Sequence, residues 1–375
     1  MTPAARTRLV FATAGTFLLV ACSDGEASTP QGEATFAPPP STSAAPSASP
    51  STSPAAAKAP DLGNPQTIVS GLEVPWGLAF LPDGAALVSE RDSGAILRIP
   101  AGGGNPQTVH EVKGVDAGGE GGLLGIAVDP DYAQNKYVYA YYTASGDNRI
   151  ARFTLGGNPT VILDGIDKAG IHNGGRIAFG PDGFLYVGTG DAGNGSESQD
   201  RQDLNGKILR ITRDGKAAPG NPDEGSPVWS MGHRNVQGLA WGPDKKMYGI
   251  EFGQNTWDEV NVIEPGQNYG WPEVEGKEGN SKYVDPIVQW STDEASPSGA
   301  AVAGDTLYVA GLRGERLWTV PLGGGEPKAE LNGEYGRLRT VGVAPDGALW
   351  VTTSNRDGRG DPREGDDKIL RFAAG

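Results

Sequence analysis

The chain has 375 residues, including 58 glycines and 29 prolines, and a formal net charge of −15. That length allows one large domain or two ordinary ones. The acidic balance excludes general nucleic-acid binding, which needs a basic face, but leaves room for a locally basic pocket.

The first residues carry Arg6 and Arg8, then an apolar run from Leu9 to Ala21. This is the layout of a secretory signal, and the run is short for a membrane span. Cys22 is the only cysteine, so no intramolecular disulfide can form. It closes the stretch Leu19-Val20-Ala21-Cys22, which resembles a bacterial lipobox, where the cysteine is lipidated and becomes the new N-terminus. Residues 1–21 are expected to be a lipoprotein signal peptide. From Ser23 to about Pro60 the chain is mostly Ser, Thr, Ala and Pro, too poor in apolar surface to offset its ordering entropy. Residues 22–60 therefore read as a lipid-anchored, disordered tether. The expected location is extracytoplasmic, anchored to the outer face of the cell membrane.

Residues 61–375 repeat one pattern: an apolar strand, a Pro-Asp-Gly-like turn, a second apolar strand. The copies begin at Gly77, Gly125, Arg176, Gly238, Gly299 and Thr340. Alternating apolar residues such as Leu78 and Phe80 suit strands, and Asp-Gly supplies the positive φ of a tight hairpin. A third strand follows in "GAILRIP", "NRIARFTL", "GKILRIT" and "DKILRFA". Strand-only repeats spaced by roughly 40–60 residues mean propeller blades. The prediction is an all-β, six-bladed β-propeller of four-stranded antiparallel blades. The segment around Gln66 is expected to close the ring with the last blade.

Candidate functional residues gather at blade openings. In the second, Glu120 lies in a glycine-rich loop that reads equally as a pocket wall or a plain turn. In the third, His172 is a good proton acceptor near pH 7, and Gly174 and Gly175 let backbone approach a flat ligand. The fourth places His233, Arg234 and Asn235 in the same relative position. Arg313 follows the fifth hairpin. Arg337 and Arg339 open the sixth, and their spacing puts both on one face of an extended strand. Together the four arginines would build a cationic pocket for an anionic ligand with several carboxylates. The stretch from Glu251 to Glu273 offers Asp258, Glu259, Asn261 and turn carbonyls, oxygen ligands that suit Ca²⁺; acidic loops without a metal are also common.

The motifs "EGGLLG", "HNGGRIAFGPDG", "GHRNVQGLAW", "EFGQNTWDEVN", "NYGWP" and "GRLRTV" stand in this order between about Leu62 and Phe372. Together they resemble the soluble quinoprotein glucose/sorbosone dehydrogenase family, which includes the aldose sugar dehydrogenases. The resemblance implies a six-bladed propeller holding pyrroloquinoline quinone (PQQ) and Ca²⁺ over its channel, and oxidation of an aldose at C1 to a lactone. It implies that His172 takes the proton of the C1 hydroxyl while hydride passes to the quinone C5. Arg234 would stabilise developing negative charge. Glu120, Asn235, Arg313, Arg337 and Arg339 would contact the cofactor, the last two at its carboxylates. The carbonyls of Gly253 and Gln254 would bind the cofactor's Ca²⁺, and Glu259 and Tyr269 would belong to a second, structural Ca²⁺ site. The implied partners are an aldose, an electron acceptor that the sequence leaves open, and the membrane through the lipid anchor.

The best-known glucose dehydrogenases have glutamine at the Glu120 position, lysine at Arg313, proline at Gln254 and aspartate at Ile171. These departures favour the broad aldose branch and leave Asp191 as the candidate to orient His172. A propeller lactonase or hydrolase would need carboxylates and asparagines converging on an axial metal, where this chain offers arginine and histidine. A non-catalytic binding propeller would be signalled by loss of His172 or of the Arg337/Arg339 pair, and both are present.

Overall fold

Each Pro-Asp-Gly-like turn closes a hairpin, and each hairpin is the inner half of a blade. A computed structural model describes residues 59–375. The expected signal peptide, Cys22 and nearly all of the expected tether lie outside the described residues.

Strand β1 (Gln66–Ser70) comes first in the chain. Blade one follows, with β2 (Pro75–Phe80), β3 (Ala86–Glu90), β4 (Ala95–Ile99) and β5 (Gln107–Glu111). Blade two has β6 (Leu123–Val128), β7 (Tyr137–Thr143), β8 (Asn148–Thr154) and β9 (Thr160–Ile166). Blade three has β10 (Ile177–Phe179), β11 (Leu185–Gly188), β12 (Lys207–Ile211) and β13 (Val228–Met231). Blade four has β14 (Val236–Trp241), β15 (Met247–Glu251), β16 (Trp257–Ile263) and β17 (Val288–Ser291). Blade five has β18 (Pro297–Ala303), β19 (Thr306–Gly311), β20 (Arg316–Pro321) and β21 (Lys328–Glu330). Blade six has β22 (Leu338–Val343), β23 (Leu349–Thr353) and β24 (Lys368–Phe372).

Every blade is a four-stranded antiparallel sheet, and blade six takes β1 as its outer strand, in the order β1-β24-β23-β22. The pairing runs from Gln66 opposite Arg371 to Ser70 opposite Lys368, so the two ends of the described chain close the ring as predicted. Such closure protects edges that an open sheet would expose.

The core is divided among the blade interfaces. Hydrophobic clusters fill the space between blades one and two, two and three, three and four, four and five, five and six, and six and one. A middle strand therefore packs on both faces and can be buried along its whole length. All of β12 and all of β23 are buried. This departs from the alternation expected of a half-buried strand, and the reason is two-sided burial. The outermost strands face solvent, which is why β5, β9 and β21 carry little sequence signal.

The inner strands all start at one mouth of the central channel, and the Pro-Asp-Gly-like turns sit at the other. The second strand of each blade returns to the first mouth. Each blade thus delivers two short segments there: the residues before its inner strand and the residues after its second.

Phe372 is fully buried in β24, in the cluster between blades five and six. Phe372→Ala is expected to cost about 3–5 kcal/mol in equilibrium urea unfolding. A change of less than about 1 kcal/mol would mean that β24 contributes little to the packing between blades five and six.

Candidate active site

His172 lies at the first mouth, in the segment before β10. It is only 8 % exposed and adopts φ +53°, a left-handed conformation unusual for a non-glycine residue. Its surroundings enforce that shape. The His172 amide donates to Glu120 Oε2 (2.9 Å), and its carbonyl accepts from the Ala192 amide (3.1 Å). A Cβ on Gly190 would run into that carbonyl, so only glycine fits there.

The ring is held on both sides. Nδ1 lies 2.6 Å from Asp191 Oδ1, and Nε2 lies 2.7 Å from Arg234 Nη2. Guanidinium can only donate, and a carboxylate beside an imidazole accepts. The proton is therefore on Nδ1, and Nε2 carries the lone pair. Asp191 also accepts from the Gly193 amide (2.8 Å) and from the Trp271 indole N–H (2.8 Å). Burial would raise its carboxyl, but the bonds from His172, Gly193 and Trp271 outweigh that and hold it below the usual range. His172, Asp191, Arg234, Gln254 and Trp271 line a cavity of about 290 Å³.

Arg234 spans from this cavity toward a larger one. Its Nε donates to Gln254 Oε1 (2.9 Å) and its Nη1 to the Phe252 carbonyl (3.1 Å). Phe252 and Glu120 both line a second cavity of about 370 Å³, whose wall holds Arg91, Arg313, Arg337, Arg339 and Arg359. Five arginines face one glutamate there. Asp357, beneath them, accepts from Arg337 (2.8 and 3.1 Å) and Arg339 (3.4 Å). Burial pushes Asp357 up, but the Arg339 and Arg337 charges win and keep it low. Glu120 Oε1 pairs with Arg359 (3.0 Å). The surplus stays positive, and two buried donors, Arg339 Nε and Asn235 Nδ2, have no partner among the described residues.

The predicted residues are thus not equivalent. His172, Arg234, Glu120, Arg337 and Arg339 come together at one mouth. Asn235 is fully buried beside them, its Oδ1 accepting from the Gly174 amide (3.0 Å). Arg313 lines the cavity from an exposed position and pairs with Asp293. His233 is a satisfied core residue, held by Ser230 (2.8 Å) and Glu251 (3.3 Å) and stacked on Tyr269.

The oxygen-rich stretch divides differently from the grouping of Asp258, Glu259 and Asn261 expected from sequence. Neighbours in a strand point to opposite faces. Asp258 accepts from the amides of Gly253 (2.9 Å) and Ser296 (2.6 Å), bracing the turn at Gly253, and burial lifts its carboxyl to about 7. Glu259 faces the other way, across from Glu251 in the β15–β16 register, with Asn261 donating to both. Burial, then repulsion from Glu251, pushes Glu259 well above the usual carboxylate range. Asn261 Oδ1 is buried without a partner among the described residues. The Tyr269 hydroxyl is committed to the Val262 carbonyl (2.7 Å) and the Glu264 amide (2.8 Å), so this side chain only walls the small neighbouring cavity. No three His, Cys, Asp or Glu side chains among the described residues gather into a metal site.

Several residues escaped the sequence reading. Glu275 Oε1 accepts from the amides of Gln254, Asn255, Thr256 and Trp257 (2.6–3.1 Å) and so fixes the Gly253–Gln254 loop. Glu251 ends the second strand of blade four, Arg91 and Asp357 follow those of blades one and six, and Arg359 lies just beyond. The missed signal is a charged residue at the close of a second strand, the position where Asp191 stands in blade three.

The chain matches the Glucose / Sorbosone dehydrogenase family over residues 72–370. It is similar to the PQQ-bound form of an aldose sugar dehydrogenase from Streptomyces coelicolor, with 55% identity and TM-score 0.81 over 86% of this chain and 100% of that one. An oxidoreductase of glucose dehydrogenase type from Thermus thermophilus is 46% identical, with TM-score 0.78 over 82% and 99%. The aldose sugar dehydrogenase YliI of Escherichia coli is 28% identical over 345 residues, 80% of this chain and 92% of its own length.

Because the Glu259 carboxyl is raised in the folded state, its contribution to stability is complete below the ordinary value of 4.5 and is lost as pH rises toward the folded value. In chelator-treated protein this one group is expected to lower unfolding free energy by up to about 1.4 kcal/mol per pH unit across that window. Glu259→Gln should flatten the slope. An unchanged slope, measured by urea unfolding between pH 5 and 8 (about the window in question), would show that the pair does not retain the proton.

Proposed function

The chain belongs to the glucose/sorbosone dehydrogenase family of oxidoreductases, and from that premise we propose that it oxidises aldose sugars at C1 to lactones with PQQ and Ca²⁺. The observation that carries this reading is a basic cavity joined through Glu120 and Arg234 to a histidine that lines a second, smaller cavity. Support for PQQ also comes from the Streptomyces coelicolor relative, which is PQQ-bound.

The residues fit such a group. A planar tricarboxylate needs concentrated positive charge, and the larger cavity supplies five arginines with surplus donors. Arg337 and Arg339 would hold carboxylates, with Glu120, Asn235 and Arg313 as further contacts. The main-chain carbonyls of Gly253 and Gln254, on a loop fixed by Glu275 and Asp258, would hold the cofactor's Ca²⁺. Glu259 and Glu251, two buried carboxylates beside an unpartnered amide oxygen, fit a second cation, with Tyr269 as the wall of that site. When bound, the quinone supplies the two-electron acceptor for hydride from C1 at its C5, and Ca²⁺ acts as a Lewis acid.

The protein's own part is proton transfer and positioning. With Nδ1–H tied to Asp191, His172 accepts the C1 hydroxyl proton at Nε2, and Asp191 stabilises the imidazolium that forms. Arg234 holds that lone pair in the resting site, so the substrate hydroxyl displaces the guanidinium from Nε2. The freed guanidinium is then available to developing negative charge. Trp271 walls the substrate side, where its flat ring suits the C–H face of a pyranose.

We further propose that Cys22 is lipidated and holds the propeller, through the tether of residues 22–60, to the outer face of the cell membrane.

The full chain supplied with PQQ and Ca²⁺ is expected to reduce an artificial dye with several aldoses. No reduction with any sugar, and no quinone binding, would overturn the reading. His172→Ala should lose about 10²–10⁴ in turnover while binding PQQ as before, and unchanged turnover would remove His172 from the reaction. Cys22→Ser should move the protein from the membrane fraction to the soluble one, and retention on membranes would contradict the anchor.

A further inference from the structure

The central channel is closed midway by a polar septum. The Thr340 hydroxyl donates to the Trp76 carbonyl (2.6 Å), Arg176 Nε donates to the Gln237 carbonyl (2.7 Å), and Arg339 Nη1 donates to Gln237 Oε1 (2.9 Å). The Arg176 guanidinium lies over the Trp76 indole, 4.3 Å from its centroid. Trp76, Gln237 and Arg339 face the arginine-lined cavity. Arg176 and Thr340 face a different one, of about 460 Å³, at the opposite mouth.

That far cavity is built from the turn ends of the inner strands. Phe80, Phe179, Trp241, Val302 and Val343 line it from blades one, three, four, five and six, and Ile126 comes from blade two. Apart from Arg176 and Thr340 the side chains on the walls are apolar, and main-chain groups supply further polar surface between them. The one charge on them is Arg176, which is 7 % exposed. Arg176 has no carboxylate within ion-pair distance among the described residues. Nη2 donates to Thr340 Oγ1 (3.1 Å), and Nη1 has no hydrogen-bond partner among the described residues. Burial, together with the nearby Arg339 charge, drags its guanidinium down to about 9. A buried cation without a counter-charge is costly, and an anion delivered to it recovers much of that cost.

We propose that the far cavity is a second ligand site, for a small apolar monocarboxylate whose carboxylate pairs with Arg176 and whose hydrocarbon fills the space between the inner strands. The volume is in the range of small-molecule sites. A single cation at the closed end of a funnel of mostly apolar side chains suits one anionic head on one apolar body. A polycarboxylate would leave all but one of its charges unpaired there. The site is separate from the one read as holding the quinone and does not depend on that reading.

Octanoate and octan-1-ol, titrated calorimetrically into the full chain, test it. Octanoate is expected to bind once per chain, and the alcohol about tenfold or more weaker, the difference made by a charge-assisted bond. Arg176→Gln should remove that preference and leave the alcohol unaffected. Ala301→Trp, which fills the cavity with Arg176 intact, should abolish binding of both. Arg359→Ala, at the opposite mouth, should change neither. Absence of octanoate binding overturns the proposal, as does equal binding of acid and alcohol. Octanoate lost in Arg359→Ala but kept in Ala301→Trp overturns it too, because the acid then sits in the arginine-lined cavity.

Discussion

A carboxylate on one side and a guanidinium on the other fix the ring of His172, and most of the first mouth is arranged around that sandwich. Asp191 can hold Nδ1 only because its second oxygen is occupied by Trp271 and its first is shared with the Gly193 amide. The His172 backbone sits at positive φ because Glu120 and Ala192 grip it from two blades' loops and Gly190 leaves room for its carbonyl. Strain of this kind persists only where the surroundings over-determine it. The propeller provides that rigidity, since every loop at the mouth is rooted in strands packed on both faces.

The arginines pose the opposite physical problem, an excess of like charge in one place. The chain manages it by partial neutralisation from beneath. Asp357 takes Arg337 and part of Arg339, Glu120 takes Arg359, and Gln237 takes an Arg339 donor without adding charge. What remains is a net positive wall in a protein whose overall charge is −15. In such an acidic molecule this wall is attractive to a polyanion, and field focusing in a cleft strengthens the preference. The same septum residues that steady these arginines close the channel, so the two mouths are chemically distinct rooms.

The architecture was legible because Pro-Asp-Gly-like turns punctuate the chain and because four of the third strands read as short apolar stretches around an Arg. Apart from β1, the outer strands were not, since an outer strand such as β21 is three residues long and faces solvent. At the site, residues at or before the starts of inner strands were found: Glu120, His172, Arg234, Asn235, Arg337 and Arg339. Those following second strands were mostly overlooked, Asp191 and Arg313 excepted, because a charged residue after a strand reads as an ordinary exposed turn. The two-sided geometry of a hairpin explains why Arg91, Glu251 and Asp357 end up beside the others. Glu275 could not have been found from spacing, because its four amide donors are gathered by a loop that only the folded chain brings round it. The grouping of Asp258 with Glu259 failed for a local reason, the alternation of side chains along β16.

The central claim is the tautomer: a proton on Nδ1 of His172, directed at Asp191, and a lone pair on Nε2. Nitrogen-15 NMR of histidine-labelled protein reads this directly, because protonated and unprotonated ring nitrogens resonate in separate regions. The account predicts a protonated Nδ1 and an unprotonated Nε2 for His172, with the pattern disturbed in Asp191→Asn. A proton found on Nε2 in the unaltered protein would contradict it, since the ring would then have no acceptor to offer a sugar hydroxyl.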